Sequence, residues 1–346
     1  MQSFSKTQIN KAGKVLKDPL PDSILQMTKA EDALTYWRYI HLPILNTFQA
    51  TLRTKVAKKF GGNGFIAQRL KRAPSIIAKL RREPHMKLST MQDIAGIRAV
   101  LNSLNDVKSL TRELKTSKAK HKLISESDYI INPKVSGYRS IHLVFEYNNV
   151  NTPESNGLKI EVQLRTKMQH IWATAVETMG TFLNTSLKSS EGPDDILNFF
   201  ALTSSAFSIL ERTPVVSDHS LMSDKEIFKK VISEYTKLKI EEKLSAFTIA
   251  TSHIGKLNKQ SRSHYFLIKL DMKNRRIRIT PYSSYDLAAA NTDYTEIERE
   301  INAGAELQAV LVSIDKISAL RKAYPNYFLN TDDFTRKIDL IRKKLD

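Results

Sequence analysis

The chain has 346 residues, 41% of them hydrophobic, which is enough to bury the cores of two compact domains and excludes a disordered chain. Lys and Arg number 54 against 36 Asp and Glu, and the net charge of +18 favours an anionic partner such as a polyphosphate or a nucleic acid. The absence of cysteine excludes disulfides and thiolate zinc sites and fits a cytoplasmic protein.

The N-terminal stretch MQSFSKTQINKAGKVLKDPLPDS is charged throughout and holds no continuous apolar run, so neither secretion nor a membrane span is expected. Leu34, Trp37, Ile44, Phe48, Leu52 and Val56 fall three, four or seven apart, which predicts an amphipathic helix over 31–60, bent near Pro43. Gly61-Gly62-Asn63-Gly64 then stops it, because glycine and asparagine accept left-handed backbone angles. Short, β-branched apolar runs at 94–101, 140–146 and 158–164 alternate with helical stretches. They predict an α/β (α+β) fold: a mixed sheet flanked by helices, with the chemistry on the sheet.

After Thr166, KMQHIWATAVETMGTFL reads as a helix, 184–195 as a polar segment, and the chain continues helical to about 242. Runs at 264–271 and 276–281 flank Met272-Lys273-Asn274-Arg275 as a hairpin. A helix at 286–303, a strand at 309–314 and a basic helix from Asp332 follow. This small ββαβα unit has the layout of a zinc finger without the cysteines, so packing replaces the metal. The expected organisation is an N-terminal helical region at 1–60, a catalytic domain with trailing helices at 61–242 and a C-terminal regulatory domain at 243–346.

Four motifs follow one another: RLKRAPSIIAK (69–79), DIAGIR (93–98), PKVSGYRSIH (133–142) and EVQLRT (161–166). Taken singly, each is weak: Arg69 and Lys71 read as solvated helix charges, Asp93 as a turn residue and Glu161 as an edge-strand carboxylate. Together they combine two carboxylates, Asp93 and Glu161, with the cations Arg69, Lys71, Lys79 and Arg98. Hard oxygen ligands beside polyphosphate-neutralising charge are what a Mg²⁺ site next to a triphosphate needs. Tyr138, on a loop made mobile by Gly137, offers a ring face to a second base, while Lys134 and His142 hold that nucleotide's phosphates. The eight histidines include no HExxH pair, which argues against a zinc hydrolase. His170 and Glu177, seven apart on one helix, read as packing groups.

In type, order and spacing these motifs resemble the synthetase domain of the RelA/SpoT family, over roughly residues 60–183. Where the family has Asn before its Gly-Tyr, this chain has Ser136. The resemblance implies a pyrophosphokinase that transfers the β,γ-pyrophosphate of ATP to a ribose 3′-hydroxyl. Arg69 and Arg98 match the arginines that sandwich the adenine, and Lys71 and Ser75 match residues near its phosphates. Asp93 matches the Mg²⁺ ligand, Glu161 the carboxylate that helps bind metal and polarises the attacking hydroxyl, and Tyr138 the stacking tyrosine. Arg139, His142, Gln163 and Arg165 are expected supports on the acceptor side. No His is followed by Asp, so the His-Asp pair of the family's alarmone hydrolase domain is missing.

Short members of the family divide by acceptor. Some make (p)ppGpp from GDP or GTP, and toxic ones modify the 3′-CCA end of tRNA. The net charge, the basic clusters at 55–59 and 79–82 and the extra C-terminal unit favour tRNA here, with a stand-alone (p)ppGpp synthetase as the alternative. A catalytically silent RNA-binding regulator is the reading from another class, and the intact Asp93 and Glu161 weigh against it. Tyr324 and Tyr327, in a Y-x-x-Y after a RelA/SpoT-like domain, resemble the CapRel type of fused toxin and antitoxin. That resemblance implies that the tyrosines cover the adenine site until a phage protein, such as a major capsid protein, binds the C-terminal domain.

Overall fold

The structure, a computed structural model, describes residues 3–18, 23–117, 120–183, 185, 187, 190–244, 265–271, 273–274, 276–283, 285–313 and 332–345. Three helices open the chain: α1 (Lys6–Lys17), α2 (Ile24–Tyr39) and α3 (Leu42–Phe60). The predicted bend at Pro43 is a full break. α2 ends at Tyr39, and Pro43 sits in the first turn of α3, where its missing N–H costs nothing. Gly61 ends α3 in the left-handed region at φ 58°, as its sequence requires.

The sheet contains β1 (Gly64–Leu70), β2 (Ala95–Leu101), β3 (Lys122–Asp128), β4 (Ile141–Glu146) and β5 (Lys159–Thr166), with α4 (Ala73–Arg82) after β1 and α5 (Leu104–Lys115) after β2. β2 and β5 are parallel, and β1–β2, β3–β4 and β4–β5 are antiparallel, so the sheet is mixed as predicted. Alternation along the strands separates two faces. Ile97, Ala99, Ile160, Val162 and Leu164 enter the main core with α1, α2, α3 and α5, whereas Arg98, Glu161 and Gln163 lie on the other face.

α6 (Lys167–Leu183), α7 (Asp194–Glu211) and α8 (Asp224–Lys237) build a second core, rich in phenylalanine. The predicted hairpin is present as β6 (Tyr265–Asp271) and β7 (Arg276–Tyr282), followed by α9 (Leu287–Asn302), β8 (Leu307–Ser313) and α10 (Asp332–Arg342). β8 joins β1 with Val312 opposite Arg69, giving one eight-stranded sheet in the order β3-β4-β5-β2-β1-β8-β6-β7 among the described residues. α9 covers Leu267, Ala309 and Leu311 through Ala290 and Tyr294, while α10 inserts Phe334 between Phe199, Phe200 and Phe207 of α7. The C-terminal elements are thus distributed over two cores, with the strands extending the central sheet. No helix among the described residues is long and apolar enough to cross a membrane.

Candidate active site

The donor side forms where β1 ends and β2 begins. Lys71 follows β1, and its backbone N–H donates to the Ile94 carbonyl at 2.8 Å, which fastens the RLK segment to the DIAGIR segment. Lys71 Nζ donates to Asp93 Oδ2 at 2.8 Å, and Lys79 Nζ, from α4, donates to Oδ1 at 3.2 Å. Burial tends to raise the Asp93 carboxyl, but the two ammoniums outweigh it and hold the group at about 2. Burial also lowers Lys71, against the opposing pull of Asp93. Ser75 lies in the first turn of α4, on the same helix as Lys79.

Arg69 and Arg98 stand diagonally across the β1–β2 pair, since Arg69 faces Gly96 and Arg98 faces Ala67. Diagonal neighbours on one face are about 7 Å apart, the spacing that two guanidinium planes need to enclose one flat ring. Arg69 is a strand residue here, not the helix charge its local sequence suggests.

On the acceptor side, Glu161 enters from β5, opposite Gly96 of β2. Its Oε1 is 2.9 Å from His142 Nδ1, and Gln163 Nε2 donates to Oε2 at 2.6 Å. His142 Nε2 is in turn 2.8 Å from the Tyr138 hydroxyl. A continuous chain of hydrogen bonds therefore runs Tyr138, His142, Glu161, Gln163. Burial raises Glu161, but His142 more than offsets this and leaves the carboxyl below its ordinary value. The negative charge of Asp93 opposes that lowering, so the two carboxylates feel one another. Burial, together with the Glu161 charge, pushes the Tyr138 phenol up and keeps it protonated. Lys134 Nζ sits 4.7 Å from the Tyr129 ring centre and 5.7 Å from that of Tyr138. Tyr129, which the sequence reading passed over, also meets His142 edge-on at 5.1 Å. Its signal was present in the DYI preceding the acceptor motif.

Three expectations need correction or relocation. Gly137 does not loosen the acceptor loop: at φ 87° its missing side chain leaves room for α7, and a Cβ there would lie 2.7 Å from Ser204 Cβ. Ser204 Oγ donates to the Gly137 carbonyl at 2.5 Å and accepts from Arg139 Nε at 2.9 Å. Arg139 is buried and also donates to the Ile130 carbonyl at 3.2 Å, so its guanidinium is engaged in bracing the loop. Arg165 is 1% exposed near the C-terminal end of β5, further along the strand than Glu161 and Gln163. His170 packs edge-on against Phe65 at 5.2 Å, as a packing group should. Tyr324 and Tyr327 lie outside the described residues.

Asp93 and Glu161 fit a Mg²⁺ ion in the chemistry of their donors, which are hard, ionised oxygens at the same end of the sheet. No group of three or more His, Cys, Asp or Glu able to hold a metal occurs among the described residues. Such an ion would therefore need phosphate oxygens and water to complete its octahedron.

The family profile described as a region found in RelA / SpoT proteins matches residues 68–181. The chain is 35% identical over 112 residues to the GTP pyrophosphokinase YjbM of Bacillus subtilis, a match covering 32% of this chain and 53% of that protein. It is 33% identical over 112 residues to YwaC, a GTP pyrophosphokinase of the same organism, covering 31% and 52%. The chain thus spans about half the length of the curated relatives it matches. The crystal structure of small alarmone synthetase 1 from Bacillus subtilis bound to its product pppGpp is similar at 26% identity and a TM-score of 0.44, covering 51% of this chain and 93% of that one. Arg69, Lys71, Ser75, Lys79, Asp93, Arg98, Tyr138, His142, Glu161 and Gln163 all fall inside that matched segment.

Proposed function

We propose that the protein is an ATP-dependent pyrophosphokinase that transfers the β,γ-pyrophosphate of ATP to a ribose 3′-hydroxyl, releasing AMP. The observation that carries this reading is the convergence on one sheet face of the Lys71–Asp93–Lys79 cluster and the Tyr138–His142–Glu161 chain. Phosphoryl-type transfer asks for position and charge neutralisation plus one base near the nucleophile, and these two groups divide that work. Arg69 and Arg98 enclose the adenine, and Lys71, Lys79 and Ser75 bind the phosphates. Glu161, ionised at neutral pH, accepts the proton of the attacking hydroxyl, with His142 and Gln163 fixing its two oxygens. Asp93 and Glu161 would hold Mg²⁺, which when bound neutralises charge on the polyphosphate.

The acceptor we assign is the 3′ end of tRNA, on the strength of the +18 charge. The names of the curated relatives favour the second reading, a (p)ppGpp synthetase that uses GDP or GTP. We further assign the C-terminal elements the role of an antitoxin-like restraint, opened by a phage protein such as a capsid protein. Support comes from β8, which pairs with β1 at Arg69, and from Glu298 of α9, which accepts from the Ala73 N–H at the start of α4. Both contacts lie beside the donor site.

The test is to incubate the purified protein with ATP labelled on its γ-phosphate together with GDP, GTP or bulk tRNA. Label in tRNA supports the RNA acceptor, label in guanosine nucleotides supports the second reading, and label in neither, for both the full chain and the folded Tyr324→Ala/Tyr327→Ala variant, rejects the enzyme. Expression of that variant in the host should arrest growth. Normal growth with folded protein would reject the restraint.

A further inference from the structure

The basic charge of this chain is not evenly available. Lys71 and Lys79 are committed to Asp93, Lys55 and Lys59 to Glu113 at 2.8 and 3.4 Å, Lys115 to Glu126, and Arg38 to Glu298. The last turns of α1 and α4 behave differently. α1 ends with Lys14 and Lys17, and the last turn of α4 carries Arg81 beside the committed Lys79. The two helices pack together so that Lys14, Lys17 and Arg81 surround a hollow of about 540 Å³, with Asp18 and Pro84 completing its rim. Lys17 Nζ donates to the Pro84 carbonyl at 2.9 Å, and Arg81 Nε donates to the Lys17 carbonyl at 3.2 Å. These bonds to uncharged carbonyls fix the cations in place without neutralising them. Among the described residues, none of the three forms an ion pair with a carboxylate.

Arg81 also borders a second hollow of about 720 Å³, floored by Leu16, Met27, Pro74 and Ile77 and edged by Glu31 and Glu191. A rim of three cations against the single carboxylate of Asp18, joined to an apolar floor, suits a chain that alternates phosphate with flat, partly apolar units. The carboxylates repel phosphate from the second hollow and can accept from the amino groups of bases, which sets the direction in which such a chain lies.

We infer that the α1–α4 surface around Lys14, Lys17 and Arg81 is a docking site for the phosphate backbone of the RNA acceptor. This rests on the tRNA reading of the site above and deepens it. α4 carries Lys79 toward Asp93 and Arg81 outward, so the docking surface and the donor site are separated by one helix, about 10 Å across. RNA held there is tethered beside the site, which raises the local concentration of its 3′ end without contact to the reacting atoms.

The experiment measures binding of bulk tRNA to the full chain by filter retention across a salt series, for the wild type and for the Lys14→Ala/Arg81→Ala and Lys55→Ala/Lys59→Ala variants. Each lost phosphate contact lowers the slope of log K against log salt by about 1. The α1–α4 variant should lose about 2 in slope and at least tenfold in affinity at low salt. Its KM for tRNA should rise with kcat and ATP affinity unchanged. The α3 variant, whose lysines already face Glu113, should lose much less. An unchanged slope in the α1–α4 variant, or an equal loss in the α3 variant, overturns the inference. Because binding needs no turnover, this outcome is separate from the acceptor assignment: label that enters GDP or GTP but never tRNA rejects that assignment whatever the binding curves show.

Discussion

Arg38 Nη1 lies 2.6 Å from Glu298 Oε2, joining α2 to α9 across 260 residues of sequence, with the two residues 5% and 3% exposed. Arg38 Nε also donates to the Lys71 carbonyl at 3.1 Å and its guanidinium stacks 5.0 Å from the Tyr294 ring centre, while Glu298 Oε1 accepts from the Ala73 N–H. One buried ion pair thus ties the N-terminal helices, the start of α4 and the C-terminal segment together at the edge of the donor site. Removing one partner of such a pair leaves an uncompensated buried charge and costs about 3–5 kcal/mol, whereas exchanging both for apolar residues of similar size is close to neutral. Glu298→Ala should therefore destabilise far more than Arg38→Met/Glu298→Leu, as read by urea denaturation. Equal losses in the two proteins would mean that the pair is solvated in solution.

Asp93→Asn and Glu161→Gln should each abolish pyrophosphate transfer while leaving a folded protein by circular dichroism. Both remove a negative charge from the side proposed to hold Mg²⁺, and Asp93→Asn also leaves Lys71 and Lys79 facing each other without a carboxylate between them. Near-normal turnover by both variants would reject the site.

Asp93 also predicts an acid dependence of stability. Its carboxyl is lowered from 3.8 to about 2 in the folded protein, so it binds a proton more readily when unfolded. The stability it contributes is fully present above about pH 4 and is lost as pH falls toward about 2, amounting to about 2 kcal/mol shared with both lysines. Acid titration of stability should be correspondingly shallower in Asp93→Asn over that window. Identical titration curves would show that the lysines do not engage Asp93 in solution.

The acceptor loop should depend on Gly137 and Ser204. Gly137→Ala puts a side chain into backbone at φ 87° and 2.7 Å from Ser204 Cβ, so it should destabilise by more than about 1 kcal/mol and raise the acceptor KM more than the ATP KM. Ser204→Ala, which removes hydrogen bonds without adding bulk, should shift the acceptor KM less. A Gly137→Ala protein with wild-type stability would place the loop away from α7.

How much of this was legible in the sequence follows from the range of the forces involved. The β-branched runs of β2, β4 and β5 announce themselves because their alternation is local. β1 did not, since its end RL runs straight into the cationic helix α4 and was read with it. β3, KLISESD, is a mostly exposed edge strand whose pairing with β4 supplies what its composition lacks. Asp93 and Glu161 lie close enough to act on one another because β2 and β5 run parallel, with Glu161 opposite Gly96 just after Asp93. The bracing of Gly137 by Ser204, and of Arg38 by Glu298, joins residues 67 and 260 positions apart, and no local pattern encodes either pairing.

The hydrogen bond between Tyr138 and His142 adds a second role to the stacking expected of the Tyr138 ring. Stacking on a base requires only the aromatic face, whereas the hydroxyl, 2.8 Å from His142 Nε2, helps orient the imidazole whose Nδ1 meets Glu161. Tyr138→Ala should remove both functions, and the loss of stacking alone is worth about 1–3 kcal/mol, or roughly 5- to 150-fold in acceptor affinity. Tyr138→Phe keeps the face and removes the bond. It should therefore bind acceptor nearly as the wild type does, but with kcat reduced and its pH profile shifted, because Glu161 is held by an imidazole free to turn. Steady-state kinetics with the labelled-ATP assay, run over a pH series with both variants, reads the two effects apart. If Tyr138→Phe loses acceptor affinity as severely as Tyr138→Ala with an unmoved pH profile, the hydroxyl contacts the acceptor itself, and the chain from Tyr138 to Glu161 takes no part in activating the attacking hydroxyl.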